Sequence, residues 1–231
     1  MSHLPRVAKS CGVRCVLVSN QAPFRDPAYR ELIWERNPYV DGFTDEPGPE
    51  FKIPPLEAQM NFLDGMMIAH GLDDGTRFHE PELYYTPRLR KDVAGCALYD
   101  PNYVSFTGWL FKNSVDHYMA RNAIQINAQM ALRNRSLPLQ MPVPSVVASS
   151  VYDLCDIVFS CGELFGLMSG TVEVAAALKK PATVFYGPGH LSEFRHCRRH
   201  RYVFVPNSLW WICWMLHFPS RVGKKVRKLS R

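Results

Sequence analysis

Long apolar runs are missing from this sequence. None of its 231 residues belongs to an uninterrupted apolar stretch of the roughly 20 residues that a bilayer-crossing helix needs, so a spanning segment is not expected. Residues 1–15 hold no apolar core long enough for a secretory signal. Internal repeats and low-complexity tracts are absent too, which sets aside solenoids, propellers and fibrous arrays. Cysteine is present without a pattern. Seven is an odd count, and Cys11 and Cys15 have no second ligand pair downstream to complete a zinc site. Cys96, Cys155 and Cys161 stand among apolar neighbours and read as small buried hydrophobes. This cysteine usage fits a reducing compartment, and a cytoplasmic protein is the expectation.

What the sequence does have is a composition suited to a packed core: 47% of residues are hydrophobic and 21% charged, which excludes a disordered chain. The formal net charge is +6, and its location matters more than its size. Arg221, Lys224, Lys225, Arg227, Lys228 and Arg231 form a tail with no acid among them, and six is the whole excess of cations over acids. The remaining body is formally neutral, so the basic isoelectric point gives no reason to expect a nucleic-acid partner.

Along the chain, Val13–Ser19 reads as a buried strand from its β-branched run, and Ala28–Glu35 as a short helix ended by Asn37-Pro38. Gly42–Pro55 is acidic and turn-rich, with four prolines. Leu56, Met60, Leu63 and Met67 recur at helical spacing over 56–70, and Gly71 stops that helix. Asp73–Pro87 reads as an irregular connector. A second α/β unit begins near Val93, with strands over Cys96–Tyr99, Tyr103–Phe106 and Ala123–Asn127, a helix over Ser114–Arg121, and a Pro-rich loop over Ser136–Ser145. From Ser149 the order is helix, strand, tight turn, helix, strand and loop, with a last strand over Tyr202–Val205. Strands alternating with helices on this spacing imply a parallel sheet covered on both faces.

The tight turn is Ser169-Gly170-Thr171, and it opens directly into the almost wholly apolar run Val172-Glu173-Val174-Ala175-Ala176-Ala177-Leu178. A small, Gly-containing turn at a helix N-terminus leaves backbone N–H groups and the positive end of the dipole free for an anion such as a pyrophosphate. The structural alternative is an ordinary N-cap, since Ser and Thr favour that position in helices generally.

Residues Leu154 to Gly187 resemble the donor-binding half of GT-B glycosyltransferases, most closely glycosyltransferase family nine, the ADP-heptose:lipopolysaccharide heptosyltransferases. That family has a short helix ending in Asp, a strand, an Asp/Ser/Thr-Gly turn, a small-residue helix, Pro, and a strand closing in Tyr/Phe-Gly. Here Ser169-Gly170 stands at the turn, Pro181 after the helix and Tyr186-Gly187 at the strand end. A looser likeness reaches Asn37-Pro38-Tyr39-Val40-Asp41, similar to the family's segment before a strand. Met168 stands where the family usually has Asp, and Glu173 where it has His. The family also opens with a Gly-rich loop ending in an Asp that is read as the catalytic base, and no such loop stands near Met1.

The resemblance implies a GT-B-like α/β fold of two Rossmann-like parallel-sheet domains, the N-terminal one truncated. Residues 1–92 would form the shortened, acceptor-side α/β domain and 93–206 the nucleotide-sugar-binding α/β domain. Residues 207–231 hold a Trp-rich segment and the basic tail. The implied reaction is inverting, metal-independent transfer of a sugar from a nucleotide-activated donor to a glycan or lipid-linked acceptor, with the donor as substrate and no separate cofactor.

On this reading Ser169, Gly170 and Thr171 hold the donor phosphates. Glu173 accepts the ribose hydroxyls, or else reaches back toward Gly170 as a capping partner. Gly187 and His190 lie where an open α/β sheet places its ligand, past the carboxyl end of a strand. Asp26, after the first strand's loop, is the positional candidate for catalytic base. Thr107-Gly108-Trp109 stands where the family places a basic residue, with Lys112 a possible substitute. The cations and histidines at 195–201 read mostly as a solvated surface. Asn207–Pro219, rich in Trp, would pack back across the domains, while the tail is drawn to an anionic membrane surface, making the protein peripheral there. Two other readings stay open: a non-catalytic nucleotide-sugar-binding or interaction module, and a nucleotide-sugar epimerase of the same architecture.

Overall fold

The computed structural model describes residues 2–22, 27–49, 52–101, 130–132, 143–190 and 192–205. The first half is small. Helix α1 (Leu4–Ser10) buries Val7 and Ala8. Strand β1 (Leu17–Ser19) pairs in parallel with β2 (Gly42–Thr44), Val18 lying opposite Phe43. Between them, α2 (Pro27–Arg30) continues as a π-helical turn over Glu31–Glu35, whose Leu32 is buried. The run from Val13 thus supplies three strand residues rather than seven. It is not buried either: Leu17 is 52% exposed, because β1 and β2 form a two-stranded ribbon with no third strand beside it among the described residues.

Helix α3 (Phe62–Ala69) is shorter than the apolar spacing predicts. Asn61 caps it by accepting from the Asp64 N–H, and Asp64 accepts from the Asn61 N–H in return. That reciprocal box fixes the N-cap five residues after Leu56. Gly71, at φ +67°, ends the helix in the left-handed conformation that favours glycine.

Among the described residues the second half holds one six-stranded, all-parallel sheet: β3 (Ala97–Asp100), β4 (Met130–Leu132), β5 (Ser145–Val146), β6 (Glu163–Leu167), β7 (Thr183–Tyr186) and β8 (Arg201–Phe204). Their spatial order is β5-β4-β3-β6-β7-β8. The chain starts in the middle, builds outward to β5, crosses back, and builds outward the other way from β6. This is the dinucleotide-fold order, whose switch point lies between β3 and β6. Helix α4 (Val151–Ser160) makes the crossover, and α5 (Gly170–Ala177) joins β6 to β7. The expected strands at 103–106 and 123–127 and the helix at 114–121 lie outside the described residues. Strands β4 and β5 escaped the sequence reading because two or three residues carry no periodicity.

The core forms where α4 and α5 press on the sheet: Leu98, Leu132, Ile157, Val158, Leu164, Val172, Ala175 and Val184 make one buried cluster. The alanines of α5 permit this closeness. Ala175 and Ala176 are essentially inaccessible, and a Cβ on Gly166 of β6 would sit 3.2 Å from the Val172 side chain. A tighter approach occurs at Gly162, where a Cβ would meet the Gly95 carbonyl oxygen at 2.5 Å. Both partners there are backbone, so neither can rotate away. Gly162→Ala is expected to destabilise the protein by about 2–3 kcal/mol in urea unfolding, the range of overpacking without relief. An unchanged midpoint would mean that the Gly95 turn yields.

The first half lies against the outer side of α4 and α5. Leu32 packs with Val151 and Cys155, joined by Leu83, Tyr85 and Leu178. The connector is bonded along α4: the Tyr85 hydroxyl and Arg88 N–H both donate to Asp156 Oδ1 (2.9 and 2.8 Å), and the Arg90 N–H donates to Ser160 Oγ (2.8 Å).

Candidate functional site

The carboxyl ends of β3 and β6 define the switch point, and Asp100 and Gly166 are paired across it. Helix α5 begins three residues past that pair's end of β6, so its N-terminus opens at the crevice where such sheets bind ligands. Ser169 occupies the N-cap position in extended conformation but makes no side-chain cap. Its hydroxyl turns instead toward Asp100, whose Oδ2 accepts at 3.3 Å, and Asp100 is fully buried.

That diversion has a consequence for the helix mouth. The N–H groups of Val172 and Glu173 are taken by the Ser169 carbonyl (3.1 and 3.3 Å). Those of Gly170 and Thr171 have no acceptor among the described residues. Gly170 is exposed, and no atom lies within 4 Å of where its Cβ would be. Two unpaired amides, the positive dipole end and open space therefore coincide, which is the chemistry of an anion site. Asp100 was not foreseen. The available signal was an acid closing the apolar strand Ala97-Leu98-Tyr99, but its partner is 69 residues away.

Glu173 does not reach back to cap the helix, as one reading expected. Its Oε2 accepts from His196 Nδ1 at 2.8 Å, and its side chain is 34% exposed against 12% for the histidine. The imidazole fixes the carboxylate's direction and leaves Oε1 without a bond among the described residues. Gly187 is buried just past the end of β7, and its carbonyl accepts from the His190 N–H at 3.2 Å in a turn completed by Gly189 at φ +77°. The His190 ring lies 5.0 Å from that of Tyr186.

The 195–201 cluster is only partly the solvated surface expected of it. Arg198, Arg199 and Arg201 are exposed, but Arg195 and His196 are half-buried and His200 is buried. The Arg195 guanidinium lies 4.6 Å from the Tyr186 ring centre and 5.1 Å from that of Tyr202, with no carboxylate partner among the described residues. His200 Nε2 is 3.2 Å from the Val172 carbonyl, and burial lowers its pKa. Arg195 and His196 thus belong to the carboxyl-edge side of the sheet with Tyr186 and Glu173.

Asp26, Thr107-Gly108-Trp109, Lys112, Asn207–Pro219 and the basic tail lie outside the described residues. The bonds between the halves run along α4 and at the far end of α5, where Glu80 pairs with Lys179 and Arg199 at 3.4 and 2.6 Å. The first half also reaches the α5 mouth's side of the sheet, where the Phe62 ring stacks 5.5 Å from that of Phe194, itself 6.4 Å from the His196 ring. No helix among the described residues is long and apolar enough to cross a membrane.

No protein-family model and no curated protein matches this chain. Among solved structures it is similar to a glycosyl transferase of family 9 from Veillonella parvula DSM 2008, at 13% identity and a TM-score of 0.46, covering 98% of this chain and 70% of that one. It is also similar to the dodecameric iron-containing heptosyltransferase TibC, solved in complex with ADP-D-beta-D-heptose, at 12% identity and a TM-score of 0.46, covering 74% of this chain and 52% of that one. The fold class is mixed α/β with parallel sheets in both halves.

Proposed function

We propose that this chain binds a nucleotide-activated sugar through its diphosphate at the mouth of α5, and that it transfers the sugar to a glycan or lipid-linked acceptor. The observation that carries the reading is the coincidence of the switch point with the two unpaired amides of Gly170 and Thr171. The Thr171 hydroxyl adds a donor beside them. Glu173 Oε1 is the acceptor for a ribose diol, held in direction by His196. Gly187 and His190, past the end of β7, flank the sugar side.

In such a transfer the acceptor hydroxyl attacks the anomeric carbon, the bond from that carbon to the diphosphate oxygen breaks, and the nucleoside diphosphate leaves with the negative charge. The amides at α5 are placed to stabilise that charge as it develops. Inversion follows from a single displacement, and the departing hydroxyl proton goes to a base for which Asp26 is the candidate. The tail's six cations would hold the protein at an anionic membrane, near a lipid-linked acceptor.

The packing of the first half along α4 favours one other reading, a nucleotide-sugar binder without transfer. Thermal unfolding against UDP-, ADP-, GDP- and CMP-linked sugars tests binding. A cognate donor at a hundred times its Kd is expected to add about 2.7 kcal/mol of stability. Release of the nucleoside diphosphate on adding an acceptor then separates transferase from binder. If no donor in the panel raises the unfolding temperature, the diphosphate site is wrong.

A further inference from the structure

At the opposite, amino-terminal edge of the large sheet, the connector and the segment before β8 enclose a groove of about 460 Å³. Five cations line it (Arg6, Arg77, Lys179, Arg198 and Arg199) against two carboxylates, Glu80 and Glu82. Glu80 is already shared between Arg199 and Lys179 and accepts the Arg198 N–H at 3.1 Å. Glu82 holds Arg6 at 2.8 Å, and Arg77 is held by Asp73 at 2.7 Å. The exposed guanidinium of Arg198 meets no carboxylate among the described residues and lies 5.0 Å from the centre of the Phe78 ring.

Two further observations fall on the same wall. Phe78 has φ +67°, a conformation that costs a bulky residue about 1–3 kcal/mol. The next residue, His79, lines the groove. Its Nδ1 is bonded at 2.6 Å to the buried Asp64 carboxylate, which fixes the ring, and its Nε2 lies 4.0 Å from Asp74. An unpaired guanidinium, surplus positive charge, an oriented imidazole and backbone strain converge on one open groove that the α5 site does not use.

We propose that this groove is a second anion site, taking the terminal phosphate of a phosphomonoester or pyrophosphate on Arg198 and Arg199, with Arg77 and Lys179 completing the positive field and His79 Nε2 contacting the bound oxygens. A planar guanidinium fork suits phosphate geometry, and phosphate supplies the charge that Glu80 alone cannot give to three cations. The same chemistry is offered by a soluble phosphate ester and by the headgroup of a phosphatidic acid.

Gly170→Glu, which blocks the α5 mouth, is the background for the test. Calorimetric titration with inorganic pyrophosphate at low salt forms one arm, and co-sedimentation with phosphatidylcholine vesicles carrying phosphatidic acid forms the other. Binding in either arm is expected to weaken about tenfold in Arg198→Ala, the loss of one charge-assisted contact, and to weaken again when Arg77→Ala is added. Pyrophosphate binding identifies a soluble ligand; binding confined to the vesicles identifies a lipid headgroup. Absence of binding in both arms overturns the proposal, as does binding that Arg198→Ala leaves unchanged, which would assign it to the tail or elsewhere. Nucleotide-sugar binding by the unsubstituted protein is read separately, so the two sites fail independently.

Discussion

Gly170→Glu is expected to weaken nucleotide-sugar binding by about 100-fold or more while leaving the protein as stable as before, or slightly more so. Three features of the α5 mouth set this outcome. Gly170 is exposed, its Cβ position is empty to 4 Å, and its φ is not in the left-handed region, so a side chain fits without strain. A glutamate at the first helical position meets the positive end of the helix dipole, worth about 0.3–1 kcal/mol in its favour. It also puts a carboxylate where the diphosphate would lie, and like-charge juxtaposition costs several kcal/mol, of which about 2.7 already gives 100-fold. Ligand-induced unfolding shifts and direct titration would measure both quantities on one sample. Gly170→Ala serves as the control, since it adds bulk without charge and should bind nearly as tightly. A glutamate variant that binds the donor normally would remove the α5 mouth from the function altogether.

What the sequence revealed about that mouth was local, and what it hid was long-range. Ser169-Gly170-Thr171 before an apolar, alanine-rich run is legible as an open helix entrance, and the structure places a helix there from Gly170. That the entrance sits at a switch point depends on β3 pairing with both β4 and β6, and β4 and β5 are too short to announce themselves. The freedom of the Gly170 and Thr171 amides depends on Ser169 turning to Asp100, a contact between residues far apart in the chain. Of the two roles open to Glu173 from its position, the structure removes the capping one, since its carboxylate turns to a histidine. Its actual partner, His196, was assigned to a solvated cluster because alternating Arg and His carry no sign of which side faces inward.

The first half was less legible for a related reason. The Leu56–Met67 spacing suggested a helix from Leu56, while Asn61 and Asp64, three apart, are the stronger boundary signal. Read as a capping pair they give the start of α3, but nothing in that spacing discloses the further bonds of Asp64. Nor does the sequence show that Phe78 would be held at positive φ. Both depend on the connector folding back across α3.

Those further bonds make Asp64 the position where one substitution should cost most stability. Its carboxylate is 1% exposed and accepts four hydrogen bonds. Oδ2 takes the Asn61 and Phe78 N–H groups at 2.7 and 2.8 Å, and Oδ1 takes the His79 N–H and the His79 ring at 2.9 and 2.6 Å. Asparagine has one acceptor oxygen in place of two, so its amide nitrogen would face two donors. Asp64→Asn is therefore expected to lose about 3–5 kcal/mol in urea unfolding, the range for breaking a buried, fully bonded charge. The pH dependence carries the same signature. Burial pushes the Asp64 pKa upward, but the N–H groups of His79 and Asn61, the His79 ring and the Phe78 N–H outweigh it, and the net shift is downward from 3.8. A depressed carboxylate contributes its stability above the unfolded pKa and loses it as pH falls through the folded one. The gap between the unsubstituted protein and Asp64→Asn should thus be full near neutrality and close below about pH 3.8. Because the Asp64 bonds to the Phe78 and His79 N–H groups also hold Phe78 in its strained conformation, their loss frees the connector to relax. Pyrophosphate binding in the groove should fall with it even under conditions where the variant remains folded. A stability loss below 1 kcal/mol would mean that the connector carries its own conformation and that Asp64 is a simple helix cap.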